Sequence, residues 1–444
     1  MSIATEITRL QGAKADLKTA IEAKGVTVPS STTIDGYATL VGQISGGGST
    51  GPIIEKDVNF YDYDGTLVAS YSAADFASLT ALPSNPSHTG LTAQGWNWSL
   101  ADAKTYVASY GGLHIGQMYT TSDGKTRIYL HIEAACTLPI YFSQTVANGV
   151  TVDWGDGSAT TTASGTSNQT LTHSYAAGDY VLTMKATSGT YSWGQYFMGT
   201  STNTGYQRYG SLVTKLEVGA DVTEFYCYYW QRCQTLSVPS TTLIKGLNNS
   251  MSLRHITIPT GMTTLYSGMF SACYSMETIA IPKTITSYQS CFSNNYSLRI
   301  IYLPSSITSS SGINYSIMYA LQKVVTPVAI TYSTSPYSNC KSITKVDLST
   351  TTLTEAKMSY CDSLQVLKLP STITTVSQYA YSGAYGLREL YIYATTPPTL
   401  ANTNAFSNVD TANLKIYVPS ASVATYKAAS GWSNYASNIQ AIPS

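Results

Sequence analysis

The chain has 444 residues, of which 43% are hydrophobic, enough for about three domains with real cores. Only 11% of residues are charged and the formal net charge is zero, which argues against nucleic acid or an anionic membrane as an electrostatic partner. No apolar run approaches the roughly 18 residues of a membrane span, so membrane insertion is not expected.

Residues 1–45 read as helical. Ile3, Ile7, Leu10, Lys14, Leu17 and Ile21 recur at alternating four and three spacing, which predicts an amphipathic helix over 2–24 that Gly25 ends. This is the seam of a short coiled coil with Lys14 as a polar position that fixes register. A second helix is expected over 32–44 through Ile34, Tyr37, Val41 and Ile44. The pattern suits either a self-associating base, with a trimer as the expected homo-oligomer, or a helical hairpin within one chain. The stretch from Ala4 to Pro29, followed by Ile34-Asp-Gly-Tyr37, resembles the leader of phage tail and baseplate-associated proteins from gut bacteria. That resemblance implies attachment to a phage structural protein through the N-terminus. No basic stretch followed by an apolar core and cleavage site opens the chain, which fits a virion protein released by lysis. Residues 46–52, rich in Gly, read as a flexible linker.

Residues 53–132 are expected to form a small α+β domain. Val58 to Leu67 reads as strand, Asp64-Gly65 turn and strand, and Ser99 is placed to cap a helix running to Tyr110. Asp62-Tyr-Asp64-Gly is read as turn chemistry, since a calcium loop needs further ligands at set positions. The frame Phe60, Gly65, Pro83, Pro86, Gly90, Gly95 and Trp96 is similar to the Listeria/Bacteroides β-grasp repeat of surface proteins. Residues 133–188 resemble a polycystic-kidney-disease-type (PKD), Ig-like β-sandwich, on Val152-Asp-Trp154-Gly155-Asp156-Gly157-Ser158 and on His173-Ser-Tyr175 with Gly178-Asp-Tyr180-Val-Leu182. Trp154 is expected between the sheets, with Asp153 and Asp156 in a structural turn. The resemblance implies a spacer or adhesion module.

From residue 213 to 393 one phrase, Leu-x-x-Ile-x-Ile-Pro, returns nine times at a spacing of 20 to 23 residues. It opens at Val213, Cys233, Leu253, Met276, Leu298, Leu321, Ile343, Leu364 and Leu387, and closes at Gly219, Pro239, Pro259, Pro282, Pro304, Pro327, Ser349, Pro370 and Tyr393. Such a period implies a solenoid, in which one unit cannot bury its own aliphatics and stacking gives a continuous core. The closing proline ends each strand because it cannot donate to the ladder. A large column (Phe270, Phe292, Tyr315, Tyr337, Met358, Tyr381) and a small column (Cys273, Asn295, Met318, Cys340, Cys361, Ala384) precede the phrase. The cysteines in the small column are read as buried small hydrophobes, while Cys227 and Cys233 stand close enough in sequence to pair. Residues 189–212 read as one cap, and a strand over 414–418 with a helix over 421–430 as the other, so the solenoid with its caps covers 189–444.

The phrases from Phe270 to Pro282 and from Cys361 to Pro370 resemble the BspA-like leucine-rich repeats of bacterial and phage surface proteins. The resemblance implies the solenoid fold and a role in adhesion or recognition. The fold class expected is therefore multidomain and mainly β, with an N-terminal helical segment, a small α+β domain, a β-sandwich and a C-terminal leucine-rich repeat solenoid.

Tyr is the compositional outlier at 36 residues, amid abundant Ser, Thr, Gly and Asn. That mixture supplies rigid contact area and adaptable hydrogen bonds, as in antibody paratopes, although Tyr and Thr also favour strands. Positions flanking the buried aliphatics are expected on the concave side, among them His255/Thr257, Thr278/Ala280, Ile300/Tyr302, Lys323/Val325, Lys345/Asp347 and Glu389/Tyr391. Tyr274, Tyr296, Tyr319 and Tyr385 share one place after the small column, and Tyr228, Tyr229 and Trp230 extend it. With Tyr302 and Tyr391 these form the candidate recognition surface, for stacking on a bacterial surface glycan or packing on a protein; the same rings could instead pack on neighbouring loops. The five His residues are scattered, and no zinc helix, nucleophile elbow or phosphate loop appears, so no enzyme, catalytic residue, metal or cofactor is expected. The function expected is a phage virion fibre or receptor-binding protein; the alternatives are a bacterial surface adhesin and a decoration fibre that binds no receptor.

Overall fold

The computed structural model describes residues 53–199, 209–327, 330–334 and 336–443, together with Lys14, Ala15, Lys18, Ile21, Glu22 and Val28. Those first five N-terminal positions are helical, with Ile21 buried and Lys18 paired to Glu22 at 3.8 Å. Of the expected seam, Ile3, Ile7, Leu10 and Leu17 lie outside the described residues, as do the second helix and the linker.

The first module is a four-stranded sheet built from β1 (Val58–Tyr61), β2 (Leu67–Tyr71), β3 (Leu91–Trp96) and β4 (Leu113–Thr121) in the order β2-β1-β4-β3. The Asp64-Gly65 turn joins β1 to β2 antiparallel, whereas β1 and β4 pair parallel, with Val58 opposite Leu113. Parallel strands need a long crossover, and helices α1 (Ala73–Ser78) and α2 (Leu100–Tyr110) lie within it. Ser99 caps α2 by accepting from the Asp102 N–H, and Gly111 ends it in the left-handed conformation. Phe60, Phe76, Trp96, Trp98, Tyr106 and Ile115 are buried in its core.

The second module has two sheets, with Trp154 buried in the core shared by them. One holds β6 (Cys136–Gln144), β9 (Gln169–Tyr175) and β11 (Tyr191–Ser192); the other holds β5 (Thr126–Ile132), β7 (Val150–Asp153), β8 (Thr161–Thr162) and β10 (Gly178–Ala186). Strand β5, expected in the first module, pairs with β10 along its whole length. Its other edge pairs antiparallel with Val213–Glu217, the first repeat strand, which pairs parallel with Thr235–Ser237 of the second. One sheet therefore runs from the sandwich into the solenoid, and a single apolar core extends from Ile128 to Ile439.

The repeats form a stack of short parallel strands. Thr257 opposite Ala280, Tyr302 opposite Val325 and Leu367 opposite Leu390 fix the register at one phrase per turn. The aliphatics of every phrase are buried except at the sixth, where Val324 and Thr326 are half-buried. Beyond that phrase a new five-stranded sheet begins at Lys345–Asp347. A second ladder on the opposite side pairs Thr264–Leu265, Ser287–Gln289 and Ser309–Ser311.

Corners are set by backbone chemistry. Once per turn a residue has positive φ: Tyr229, Asn249, Ala272, Asn294, Ile317, Asn339, Tyr360, Gly383 and Asn408. From Asn249 to Gly383 each such residue donates its N–H to the carbonyl of a Ser in the next turn, as Ala272 does to Ser293 at 3.1 Å and Asn339 to Ser359 at 2.8 Å. The small column is more than small. Ser250 Oγ, Cys273 Sγ, Asn295 Nδ2, Cys340 Sγ and Cys361 Sγ donate to the carbonyls of Cys227, Leu247, Phe270, Tyr315 and Tyr337 respectively. A donor that reaches back one turn offsets the about 1–3 kcal/mol that a buried carbonyl without a partner costs, although Met318 and Ala384, at the same place, bring no side-chain donor.

Both ends of the stack are closed. Trp193 stacks on Phe197 at 4.6 Å over the first turns. At the other end α3 (Val423–Ala428) presents buried Tyr426, and Trp432 donates to the Pro398 carbonyl at 2.7 Å.

Candidate recognition surfaces

The strand face of the solenoid divides into a covered half and an open half. Over the third to sixth phrases the flanking residues His255, Thr257, Thr278, Ala280, Tyr302 and Val325 are buried, and Tyr302 and Val325 belong to the core of the first module. Strand β4 lies across this face. Tyr61 meets the His255 ring at 5.2 Å and His114 meets Tyr302 at 5.0 Å. A side chain at Gly116 would collide with Thr257, so this close approach needs glycine there. The first module is thus docked on the repeats and does not extend from them as a stalk.

Proline explains why it docks here. Ile258 N–H donates to the Ala280 carbonyl at 2.9 Å, so the parallel ladder assigns the Ile258 carbonyl to the N–H of residue 282, which is proline. Leu303 N–H likewise donates to Val325, leaving its own carbonyl to Pro327. The first module supplies the missing donors. Asn97 Nδ2 reaches the Ala280 and Ile258 carbonyls at 3.0 and 3.4 Å, Trp98 Nε1 donates to Ile281 at 2.9 Å, and Tyr106 OH donates to Leu303 at 2.7 Å. At the rim Lys283 pairs with Asp102 at 2.7 Å.

His255 sits in the middle of this interface. Its Nδ1 lies 2.7 Å from Thr278 Oγ1 and its Nε2 3.1 Å from Thr257 Oγ1. Burial, and then the neighbouring His114, push its pKa down to about 3, which keeps the imidazole neutral.

The open half is the five-stranded sheet from Lys345 to Ala441. One register row carries Asp347, Lys368, Tyr391, Tyr417 and Gln440, and the next carries Lys345, Val366, Glu389 and Lys415. Tyr391 stacks on Tyr417 at 4.5 Å and donates its hydroxyl to Glu389 Oε2 at 3.0 Å. Lys368 Nζ lies 5.5 Å from the Tyr391 ring centre and 3.4 Å from Asp347. Burial first, then Glu389, push the Tyr391 phenol up to about 12.

A separate aromatic column lines one corner. Tyr274 and Tyr296 stack at 4.5 Å and 9°, Tyr296 and Tyr319 at 4.8 Å and 20°, and Lys341 Nζ lies 5.7 Å from the Tyr319 ring centre. Tyr296 and Tyr319 are 37% and 38% exposed, values that place them among the most exposed large side chains described. Their faces are spent on one another, so the column offers ring edges and hydroxyls rather than flat faces for a sugar to stack on. Tyr385 continues the column three turns later and is exposed, but Lys341 and Asp362, paired at 3.4 Å, intervene.

The other candidate residues fall elsewhere. Tyr302 is covered by the first module. Trp230 is a core residue near Phe197, 6.3 Å between rings, while Tyr228 is half-buried against Tyr226 and Tyr229 is a half-buried corner residue. Tyr417 and Lys368, unforeseen, share the register row of Tyr391, Tyr417 buried and Lys368 half-buried; both occupy flanking places in strands, Tyr417 in a tenth phrase that departs from the repeat spacing. All seven cysteines are free, so Cys227 and Cys233, both buried, do not pair. Three histidines lie against carboxylates, His88 on Asp62, His131 on Asp179 and His173 on Asp156, each in a different part of the fold. Among the described residues no group of three His, Cys, Asp or Glu side chains is placed to hold a metal ion, and no helix is long and apolar enough to cross a membrane.

Part of the chain matches a known repeat family. Residues 221–342 and 318–413 match the BspA type leucine-rich repeat region, in six copies. No curated protein matches the chain. Among solved structures, a leucine-rich cell surface protein from Faecalibacterium prausnitzii is 18% identical, covering 50% of this chain and 70% of that one with a TM-score of 0.31. A leucine-rich repeat protein from Bacteroides ovatus is 13% identical, covering 46% and 73% with a TM-score of 0.33. The pneumococcal vaccine antigen PcpA is 10% identical, covering 56% and 81% with a TM-score of 0.21.

Proposed function

From a chain whose residues 221–413 are a BspA-type leucine-rich repeat region, we propose a non-enzymatic adhesion protein that recognises a bacterial surface through its solenoid, in the setting of a phage virion fibre. The observation that carries the adhesion reading is the row Tyr274, Tyr296 and Tyr319, three large side chains held in register at a corner that no other element covers among the described residues. The virion setting rests on the leader resemblance of residues 4–37. In that setting the N-terminal helices form a trimeric base on the particle, and three weak sites act together, since linkage raises avidity by roughly 10²–10⁴ when geometry permits. The PKD-type sandwich supports the first turns of the solenoid.

Adsorption to host cells tests the reading. The Tyr274→Ser, Tyr296→Ser, Tyr319→Ser triple variant is expected to stay folded and particle-associated while losing cell binding; unchanged adsorption favours a decoration fibre instead. Light scattering on the full chain beside one beginning at Gly51 is expected to give a trimer and a monomer. The second reading, a bacterial surface adhesin, is favoured by the repeat family, and antibody labelling of the chain on uninfected cells decides for it.

A further inference from the structure

Beside the Tyr column runs a cleft of about 350 Å³ lined by Gln234, Ser252, Arg254, Ser275, Glu277 and Ser297. Its floor and walls come from the repeat itself. Ser275 and Ser297 follow Tyr274 and Tyr296 in the chain, and one serine enters from each of three successive turns. The cleft therefore runs along the solenoid axis, and turns at the strand spacing of about 4.8 Å give it a span of about 10 Å.

Its hydrogen-bonding groups are held in place and only partly used. Ser252 Oγ donates to the Gln231 carbonyl at 2.7 Å and Ser297 Oγ to the Tyr274 carbonyl at 2.8 Å, which fixes both hydroxyls and leaves their lone pairs facing outward. Arg254 donates from Nε and from one terminal nitrogen to the same oxygen of Glu277, at 3.0 and 2.7 Å. One terminal nitrogen of the guanidinium and one carboxylate oxygen remain as donor and acceptor. The two charges cancel, so the cleft attracts neither an anionic polymer nor a basic peptide. A ligand must instead bring closely spaced groups that both donate and accept. Sugar hydroxyls do so.

We infer that this cleft binds a neutral, linear glycan laid along the solenoid axis, with its hydroxyls on Arg254, Glu277 and the serine row and its edge against the Tyr274 and Tyr296 hydroxyls. The inference rests on the adhesion reading and names the ligand class.

The test uses full-length protein bound to cells, with the neutral polysaccharide fraction of those cells' envelope as competitor. The native fraction is expected to displace the protein, and the same fraction after periodate cleavage of its vicinal diols to fail. Arg254→Ala, an exposed position, and Ser275→Trp, which fills the cleft, are each expected to weaken the fraction's binding about tenfold, the loss of one charge-assisted hydrogen bond or of the space for the chain. Lys427→Ala, an exposed position in the last turn of α3, is expected to leave it unchanged. Displacement by the anionic fraction or by solubilised surface protein alone, or full displacement of both cleft variants, overturns the glycan inference while adhesion stands. Failure to bind any cells overturns the adhesion reading and the inference with it.

Discussion

The third to sixth phrases and the seventh to ninth present the same face of the same solenoid, yet one half is an interior and the other a surface. Flanking residues in the covered half are His255, Thr257, Thr278, Ala280, Ile300, Tyr302 and Val325, with Lys323 of the sixth phrase exposed; those in the open half are Lys345, Asp347, Val366, Lys368, Glu389 and Tyr391. The repeat phrase fixes where a side chain points, and only the identity of the flanking residue records what lies over it. Removing a charge from water is costly unless it is paired, so a stretch with Ala280, Ile300 and Val325 suits a docked partner while Lys345 and Asp347 suit water.

The largest expected contrast is between Tyr302→Ala and Tyr391→Ala, the same repeat position in the two halves. Urea unfolding is expected to show a loss of about 3–5 kcal/mol at Tyr302, where a cavity opens under β4. At Tyr391, where a stacking contact with Tyr417 is lost at the surface, the expected loss is about 1 kcal/mol. Equal losses would break the comparison.

Between pH 7 and 4.5 acidification is expected to act chiefly on the covered half. The folded pKa of His255 is depressed to about 3 against an unfolded value of about 6.5, so between these the unfolded state binds the extra proton. The contribution from this group is complete above pH 6.5 and falls by about 1.4 kcal/mol per pH unit down to pH 3. His114 is the titratable neighbour that adds to the shift and Asp64 the one that opposes it. Hydrogen exchange at pH 4.5 and 7 is expected to show faster opening of β4 and of the third and fourth phrases at the lower pH, and His255→Gln to flatten the difference.

A smaller contrast concerns single hydroxyls. Tyr106→Phe leaves the Leu303 carbonyl buried without a donor and is expected to cost about 1–3 kcal/mol, whereas Tyr391→Phe removes a bond that water replaces and is expected to cost under about 0.5 kcal/mol. Thermal unfolding of the two variants measures this. A comparably small effect is expected for Lys368→Ala, whose partly exposed pair with Asp347 contributes under about 1 kcal/mol and less in high salt.

Much of this molecule was legible as periodicity. The nine phrases, the columns at Phe270 and Cys273 and the Ser99 cap of α2 follow from spacing and local chemistry, and all appear in the fold. The Tyr274, Tyr296 and Tyr319 column was legible for the same reason, since side chains one turn apart stack. What spacing could not reveal was anything between modules. Strand β5 belongs to the sandwich and the first repeat because its edges found partners about 50 and 85 residues away, which no local pattern encodes. Tyr302 looked like Tyr391 because their phrases are alike; His114 and Val58, far upstream, make the difference. The small column was read as apolar from its cysteines, although Ser250 and Asn295 at the same place were a signal that a donor is wanted there.

The prolines that close the phrases do more than end strands. Because Pro282 and Pro327 leave the Ile258 and Leu303 carbonyls open, they index the solenoid, and Asn97 and Tyr106 read that index. Further along, Ser349 and Tyr393 interrupt the row; Tyr393 N–H reaches the Leu369 carbonyl itself, at 3.3 Å. A polymer of near-identical turns would let a bound module slide from one turn to the next. The unequal ends of its phrases give this one an address.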